Sequence, residues 1–179
     1  MKHDGGWKRG ASAYLYTSRW YNVRQDQVTL PSGAPITYTV VEHPGFAMVV
    51  PMLPDGRVVL VRVYRYALQE DLLECPSGSL DGDPPEVAAR RELLEETGYE
   101  AGTLDALGTF YASTGISDER FDLFLARDLT DTGRIAREAT EQMETVFMPI
   151  HEAVAMAKSS AIRDAASALG LILAADRLA

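Results

Sequence analysis

Short apolar runs separated by turn residues are the first feature of this chain, and they predict a sheet-rich core. Residues 46–53 (FAMVVPML) are continuously apolar, which predicts a strand buried on both faces. Pro54, Asp55 and Gly56 then form a strong turn signal. Residues 57–66 follow as the expected partner strand, so a hairpin is predicted at the centre of the sheet.

The N-terminal region is predicted to form a separate β-hairpin. Residues 1–17 are polar and aromatic without periodicity, and we expect a loose start there. Apolar and polar residues roughly alternate in 19–30, and 36–41 read as the returning strand after a turn at 31–33. The predicted organisation is therefore a hairpin subdomain at 1–43 and a main domain at 44–179.

The remaining pattern predicts an α+β fold with a mixed sheet sandwiched between helices. We expect a polar loop at 127–141, and an apolar stripe on the last helix that packs against the core or a second subunit. Further extended segments are predicted at 72–76, 103–112, 120–126 and 145–150, and helices at 84–97, 151–158 and about 160–177.

The helix predicted at 84–97 carries an unusual acidic face. Asp83 is placed to cap its start, and Gly98 to end it. Glu92, Glu95 and Glu96 are spaced i, i+3 and i+4, which places all three on one side of a helix. Such a face calls for a compensating cation, and oxygen ligands favour a hard divalent ion, Mg²⁺ above all. Arg91, four residues before Glu95, is expected to orient that carboxylate.

Composition narrows the class of protein. The chain has 179 residues, 46% apolar and 24% charged, as expected for a globular domain. Its net charge is −9 and its basic residues are scattered, which argues against nucleic-acid binding. A single cysteine, Cys75, excludes an intramolecular disulfide, and no apolar run is long enough for a membrane span. We therefore expect a cytosolic protein with no nucleic-acid or membrane partner.

The acidic helix and the residues before it resemble the signature of the Nudix hydrolases. The second half of that signature matches at every fixed position. The first half departs from it, because Asp83 stands where the family has glutamate and only four residues separate it from the glycine. The residues that carry the resemblance are Gly78, Arg91-Glu92-Leu93, Glu95-Glu96 and Gly98-Tyr99.

The resemblance implies a metal-dependent hydrolase of nucleoside diphosphates linked to another group. It places the metal ligands at Glu92, Glu95 and Glu96, with Glu96 also catalytic, and adds a backbone ligand near Gly78. The expected cofactor is Mg²⁺, for which Mn²⁺ can substitute. Water would then attack phosphorus with its pKa lowered by the metal.

Residues 19–33 are similar to the exchanged hairpin of the ADP-ribose and nucleotide-sugar pyrophosphatase branch, which implies a homodimer. Trp20 is then expected to stack on the nucleobase, the alternative being that it only packs the dimer interface. Residues 61–65 resemble a strand of that branch in which Arg65 would contact phosphate, although an ordinary salt bridge is the alternative. Glu74 would help to hold substrate or form a dimer contact.

Two later loops complete the predicted site. Residues 113–119 are similar to a substrate loop of the same branch, and Glu119 is expected to bind substrate, an additional metal or water. Thr114 replaces the proline associated with ADP-ribose specificity. The general base is expected at Glu141 first and Glu138 second, the alternative being that both are solvated acids.

These residues lead to one principal hypothesis and two alternatives. The principal hypothesis is Mg²⁺-dependent hydrolysis of a nucleotide sugar, with ADP-ribose giving AMP and ribose 5-phosphate. The first alternative is another nucleotide sugar of the GDP-mannose or UDP-glucose type. The second is a non-catalytic domain that senses a nucleotide.

Overall fold

A computed structural model describes residues 5–136 and 142–178, which belong to two compact units. The first unit comprises residues 1–45 together with 111–120, and the second comprises 46–110 and 121–179. The boundary predicted between 43 and 44 stays a prediction, because the first unit also includes a later segment of the chain.

The first unit is built on a three-stranded antiparallel sheet in the order β1-β2-β3. Strands β2 (Asn22–Thr29) and β3 (Pro35–Glu42) form the predicted hairpin. Asp26 of β2 is almost fully buried and accepts hydrogen bonds from Ser12 and Arg24. The pKa of Asp26 is lowered, first by its bond with Arg24 and then by its bond with Ser12.

The loose start predicted for residues 1–17 is wrong for residues 8–17, because Lys8–Thr17 is the ten-residue strand β1. Every residue of β1 is exposed. A strand shows period-two alternation when one of its faces is buried. Since β1 buries neither face within this chain, no alternation marks it in the sequence.

The second unit contains a four-stranded mixed sheet, an antiparallel three-stranded sheet and three helices. The four-stranded sheet has the order β7-β4-β9-β8, with β4 parallel to β9, and the three-stranded sheet has the order β10-β5-β6. The strands are β4 (Phe46–Pro51), β5 (Arg57–Arg65), β6 (Glu70–Glu74), β7 (Ser77–Ser79), β8 (Tyr99–Tyr111), β9 (Arg120–Asp131) and β10 (Met143–Pro149). The helices are α1 (Pro85–Thr97), α2 (Ile150–Lys158) and α3 (Ala165–Leu178).

Strand β4 is buried on both faces, as its continuous apolar run predicted. Ala47 and Val49 belong to a core cluster that includes Leu93 of α1. Met48 and Val50 belong to a second cluster that includes residues of α2, α3 and the three-stranded sheet. The predicted α+β fold, with a mixed sheet between helices, is therefore confirmed.

Several element boundaries differ from the prediction. Strand β8 begins at Tyr99 rather than 103, and β10 at Met143 rather than 145. Strand β9 continues to Asp131, so residues 127–131 are not part of a loop. Helix α3 begins at Ala165 rather than near 160. Its start is set by Asp164, whose carboxylate accepts a hydrogen bond from the Ser167 N–H at 2.7 Å and thereby caps the helix.

The predicted apolar stripe of α3 packs into the core. Buried and half-buried residues of this region belong to the core cluster that also contains residues of β4 and β9. They are Ile162, which precedes α3, and on α3 Ala166, Leu169, Leu171, Ile172, Leu173 and Ala174. No helix within the described ranges has the length and apolar content needed to cross a membrane. The cytosolic location and the lack of nucleic-acid partners stay predictions.

Candidate active site

The loop that leads into α1 closes through a tight turn. The N–H of Asp83 donates to the Leu80 carbonyl at 2.7 Å. The two central residues, Asp81 and Gly82, have positive φ angles of 48° and 91°. Two consecutive positive φ angles are the mark of a type I′ turn, for which Asp-Gly is a preferred pair. The shortened signature loop is therefore accommodated by a turn suited to its sequence.

The predicted capping role of Asp83 is wrong. Pro84 occupies the N-cap position with extended backbone (φ −57°, ψ 142°), and α1 has no side-chain cap. A residue before proline is biased away from helical geometry, and Pro85 follows. The Asp83 carboxylate instead accepts a hydrogen bond from Arg91 Nη1 at 2.8 Å. Asp83 thus ties the loop to the helix through a side chain two turns further along.

Arg91 joins this loop to the acidic face of α1. Its Nη2 donates to the Ser79 carbonyl at 2.7 Å and to Glu92 Oε1 at 3.0 Å. Burial acts to lower the pKa of Arg91, but the bond to Glu92 and the nearby acidic charges outweigh it, so the pKa is raised. Arg91 therefore holds Glu92 by a hydrogen bond, whereas the prediction was that it orients Glu95. The charge of Glu95 contributes to the raised pKa of Arg91.

Two carboxylates of α1 are buried against the short strand β7. Glu92 and Glu96 are 8% and 5% exposed, while Glu95 is half-buried. The backbone N–H of Ser77 donates to Glu96 Oε2 at 3.2 Å. A Cβ added at Gly78 would lie only 2.2–2.3 Å from the carboxyl atoms of Glu92. Only glycine can therefore occupy position 78 while the Glu92 carboxyl keeps this place.

The donor set on this face suits a hard divalent cation, because it consists of carboxylate and backbone oxygens. No three His, Cys, Asp or Glu side chains in residues 5–136 and 142–178 converge as a metal-binding group. Glu92 and Glu96, beside the backbone of 77–78, are the part of the predicted ligand set that the fold brings together.

Exposed Arg65 and buried Glu74 form an ion pair across the adjacent strands β5 and β6. Arg65 Nε donates to Glu74 Oε1 at 2.8 Å, and Arg65 Nη2 donates to Glu74 Oε2. Glu74 is 3% exposed. The hydrogen bonds to Glu74 raise the pKa of Arg65. This two-point geometry fixes the plane of the guanidinium, which matters for any oxyanion that it contacts.

In the first unit, Trp20 lines an open cavity of about 300 Å³. The Trp20 side chain is 51% exposed, and the Arg19 guanidinium lies over its ring at 3.9 Å. His43, Tyr21 and Glu42 also line this cavity. The sequence assigned His43 no role, and its isolation from the other histidines offers no signal for this position.

Glu119 lies next to His43 in the same unit. Its Oε1 is 3.6 Å from His43 Nδ1. The preceding Asp118 accepts a hydrogen bond from the His43 N–H at 3.0 Å, and Tyr38 Oη donates to the Gly115 carbonyl at 2.6 Å. The predicted substrate loop is thus attached to the end of β3. Glu138 and Glu141, the candidate bases, lie outside the described residues.

Comparison with known proteins gives the family. The model of the NUDIX domain matches residues 41–168, and the nucleoside diphosphate sugar hydrolase N-terminal domain matches residues 7–41. The chain therefore belongs to the Nudix family, and it is a Nudix hydrolase.

Three similar proteins illustrate the relationship. The ADP-ribose pyrophosphatase of Bacillus subtilis (strain 168) is 31% identical over 90% of this chain and 88% of its own. The GDP-mannose pyrophosphatase of Salmonella arizonae (strain ATCC BAA-731 / CDC346-86 / RSK2980) is 38% identical over 63% of each. A crystal structure of an ADP compounds hydrolase superposes with a TM-score of 0.85, covering 99% of this chain and 97% of its own. At 22% identity that last likeness shows the fold alone.

We expect Gly78→Ala to displace the Glu92 carboxyl and to weaken Mn²⁺ binding roughly 10- to 100-fold, as loss of a metal site's support typically does. Calorimetric titration of the purified protein with Mn²⁺ measures this directly. Gly115→Ala is the matched control, because a Cβ at Gly115 meets nothing within 4 Å. Equal Mn²⁺ affinity in both variants would show that position 78 does not support a metal site.

Proposed function

We propose that this chain hydrolyses the pyrophosphate bond of a nucleoside diphosphate sugar, with ADP-ribose giving AMP and ribose 5-phosphate. The observation that carries the proposal is the buried pair Glu92 and Glu96 against the 77–78 backbone. Two carboxylates buried on one helix face are costly unless positive charge compensates them. Arg91 supplies one such charge beside Glu92, and a divalent cation would add to it. The nucleotide-sugar relatives and the match to the N-terminal domain of nucleoside diphosphate sugar hydrolases support this substrate class.

The acidic face is proposed to hold the metal through Glu92, Glu95 and Glu96, with backbone near Gly78. Bound Mg²⁺, or Mn²⁺ in its place, would neutralise phosphate charge and lower the pKa of the attacking water. Glu141, or Glu138 as second choice, would accept the proton of that water as it adds to phosphorus and the bridging P–O bond breaks. Glu119 would bind substrate or a further water.

Two other groups are proposed to hold the substrate. A guanidinium has five N–H donors, and Arg65 directs two of them to Glu74. Its remaining donors suit a phosphate oxygen, and the rigid pairing with Glu74 reduces the entropy lost on binding. Trp20, whose side chain is 51% exposed, would stack on the nucleobase.

A different nucleotide sugar is the main alternative. Thr114 stands in the loop where ADP-ribose specificity is associated with proline, and one relative is a GDP-mannose pyrophosphatase. Incubation of the pure protein with ADP-ribose, GDP-mannose and UDP-glucose in Mg²⁺ tests both possibilities. Release of a nucleoside monophosphate from one sugar identifies the substrate. Tight calorimetric binding of a sugar without turnover would instead select the non-catalytic sensor. If the protein neither binds nor hydrolyses any of the three sugars, the proposal is contradicted.

We expect Glu96→Gln to slow turnover of the preferred sugar by about 4 kcal/mol, or about a thousandfold, because it removes a charged metal ligand. Steady-state kinetics at saturating Mg²⁺ measure the loss. Glu86→Gln is the matched control, since Glu86 lies on the same helix, in its first turn, and pairs at the surface with Arg90. Near-normal turnover of Glu96→Gln would remove Glu96 from the site.

We also propose that residues 1–43 form a subdomain that exchanges between two copies of the chain in a homodimer. The support is β1, whose ten residues are all exposed and include Tyr14, Leu15 and Tyr16, each more than half exposed. Large exposed apolar residues on an unpaired strand edge favour association. Sedimentation equilibrium is expected to give about twice the 19.6 kDa chain mass. A monomer at micromolar concentration would contradict this proposal.

A further inference from the structure

Residues 74–78 are tethered to the rest of the second unit at each position. Glu74 pairs with Arg65, and the Pro76 carbonyl accepts a hydrogen bond from the Val49 N–H at 2.9 Å. The Ser77 N–H donates to Glu96, and Gly78 packs against the Glu92 carboxyl. This short segment therefore links the proposed phosphate contact on β5 with the acidic face of α1.

The remaining position, Cys75, is held by a side chain from the last helix. The Cys75 N–H donates to Ser167 Oγ at 2.9 Å, although 92 residues separate them in sequence. Both residues are fully buried, with 0% exposure. A buried N–H must be satisfied, and Ser167 supplies the acceptor here.

The orientation of the Ser167 hydroxyl is set by Asp164. Ser167 Oγ donates to Asp164 Oδ2 at 2.7 Å, and the Ser167 N–H donates to the same oxygen at 2.7 Å. Because the hydroxyl hydrogen is committed to a carboxylate, the oxygen lone pairs are directed towards Cys75. The cap of α3 and the tether on Cys75 are thus one connected set of hydrogen bonds.

We propose that Ser167, oriented by Asp164, is a positioning residue for the active site. It touches neither substrate nor metal, and it acts by fixing the backbone between Glu74 and Gly78. Loss of the hydroxyl leaves the buried Cys75 N–H without its acceptor, which is energetically costly. For this N–H to reach another acceptor, residues 74–78 must shift. Such a shift moves Glu74 with Arg65 on one side and the 77–78 backbone beside Glu96 and Glu92 on the other. This inference rests on the proposed function of those groups.

The test compares Ser167→Ala with Ile162→Val in the full-length protein. Ile162 is a buried core residue (2% exposed) outside the proposed site, so its loss of one methylene gives a matched loss of stability. We expect Ser167→Ala to weaken Mn²⁺ binding and to lower kcat, each roughly 10- to 100-fold, as loss of support behind ligands does. Ile162→Val is expected to keep wild-type kcat and Mn²⁺ affinity below its melting temperature.

Calorimetry with Mn²⁺ alone separates this inference from the proposed function, because it needs no turnover. If the wild-type protein binds Mn²⁺ but hydrolyses none of the sugars, the proposed function fails. The comparison of Mn²⁺ affinity between wild type and Ser167→Ala still tests the positioning role of Ser167. Wild-type Mn²⁺ affinity in folded Ser167→Ala would overturn the inference, and so would an equal loss in Ile162→Val.

Variants of Asp164 distinguish the hydroxyl tether from a charge effect, since the Asp164 charge also contributes to the raised pKa of Arg65. Asp164→Asn keeps an oxygen acceptor for Ser167 and is expected to behave like wild type. Asp164→Ala releases the hydroxyl, and we expect a weaker form of the Ser167→Ala defect. If Ser167→Ala does not fold, wild-type Mn²⁺ affinity in Asp164→Ala overturns the inference. A full defect in Asp164→Asn would assign the effect to charge and overturn it as well.

Discussion

The second unit is organised around the burial of two acidic side chains against a strand. Glu92 and Glu96 are nearly inaccessible on a helix whose other buried residues are apolar or small. Ionised carboxylates in such a place need hydrogen-bond donors and positive charge close by. Arg91 and the Ser77 N–H answer that need, and the lack of a side chain at Gly78 leaves room for the Glu92 carboxyl. Each depends on a neighbouring turn or strand for its own position.

Much of this arrangement follows from sequence, because local rules and tertiary structure agree there. The apolar run of β4 predicted burial on both faces, and α1 and the matching half of the signature were placed within a residue or two. Other parts depend on groups distant in sequence. The Asp83 carboxylate pairs with Arg91 once two prolines have prevented it from capping, and β1 lacks alternation because neither face is covered.

The predicted site residues fall into groups of different physical character. Glu92 and Glu96 are brought together by helical spacing, which sequence predicts well. Arg65 and Glu74 lie on the paired strands β5 and β6, but the register sets Arg65 opposite Glu70 and Glu74 opposite Val61, so strand pairing alone does not predict their contact. Ser167 reaches Cys75 from the last helix, 92 positions away in sequence. Long-range hydrogen bonds of this kind leave no periodic trace.

Cys75 has a consequence beyond packing. It is the chain's only thiol, it is fully buried, and burial is the first cause of its raised pKa, so the unreactive protonated form prevails while the segment is closed. Exchange of the Cys75 thiol with a disulfide reagent, which forms a mixed disulfide and releases the reagent's thiol, must wait for residues 74–78 to open. The rate at which Cys75 is labelled in the native protein therefore measures how often this segment opens, and no probe has to be introduced.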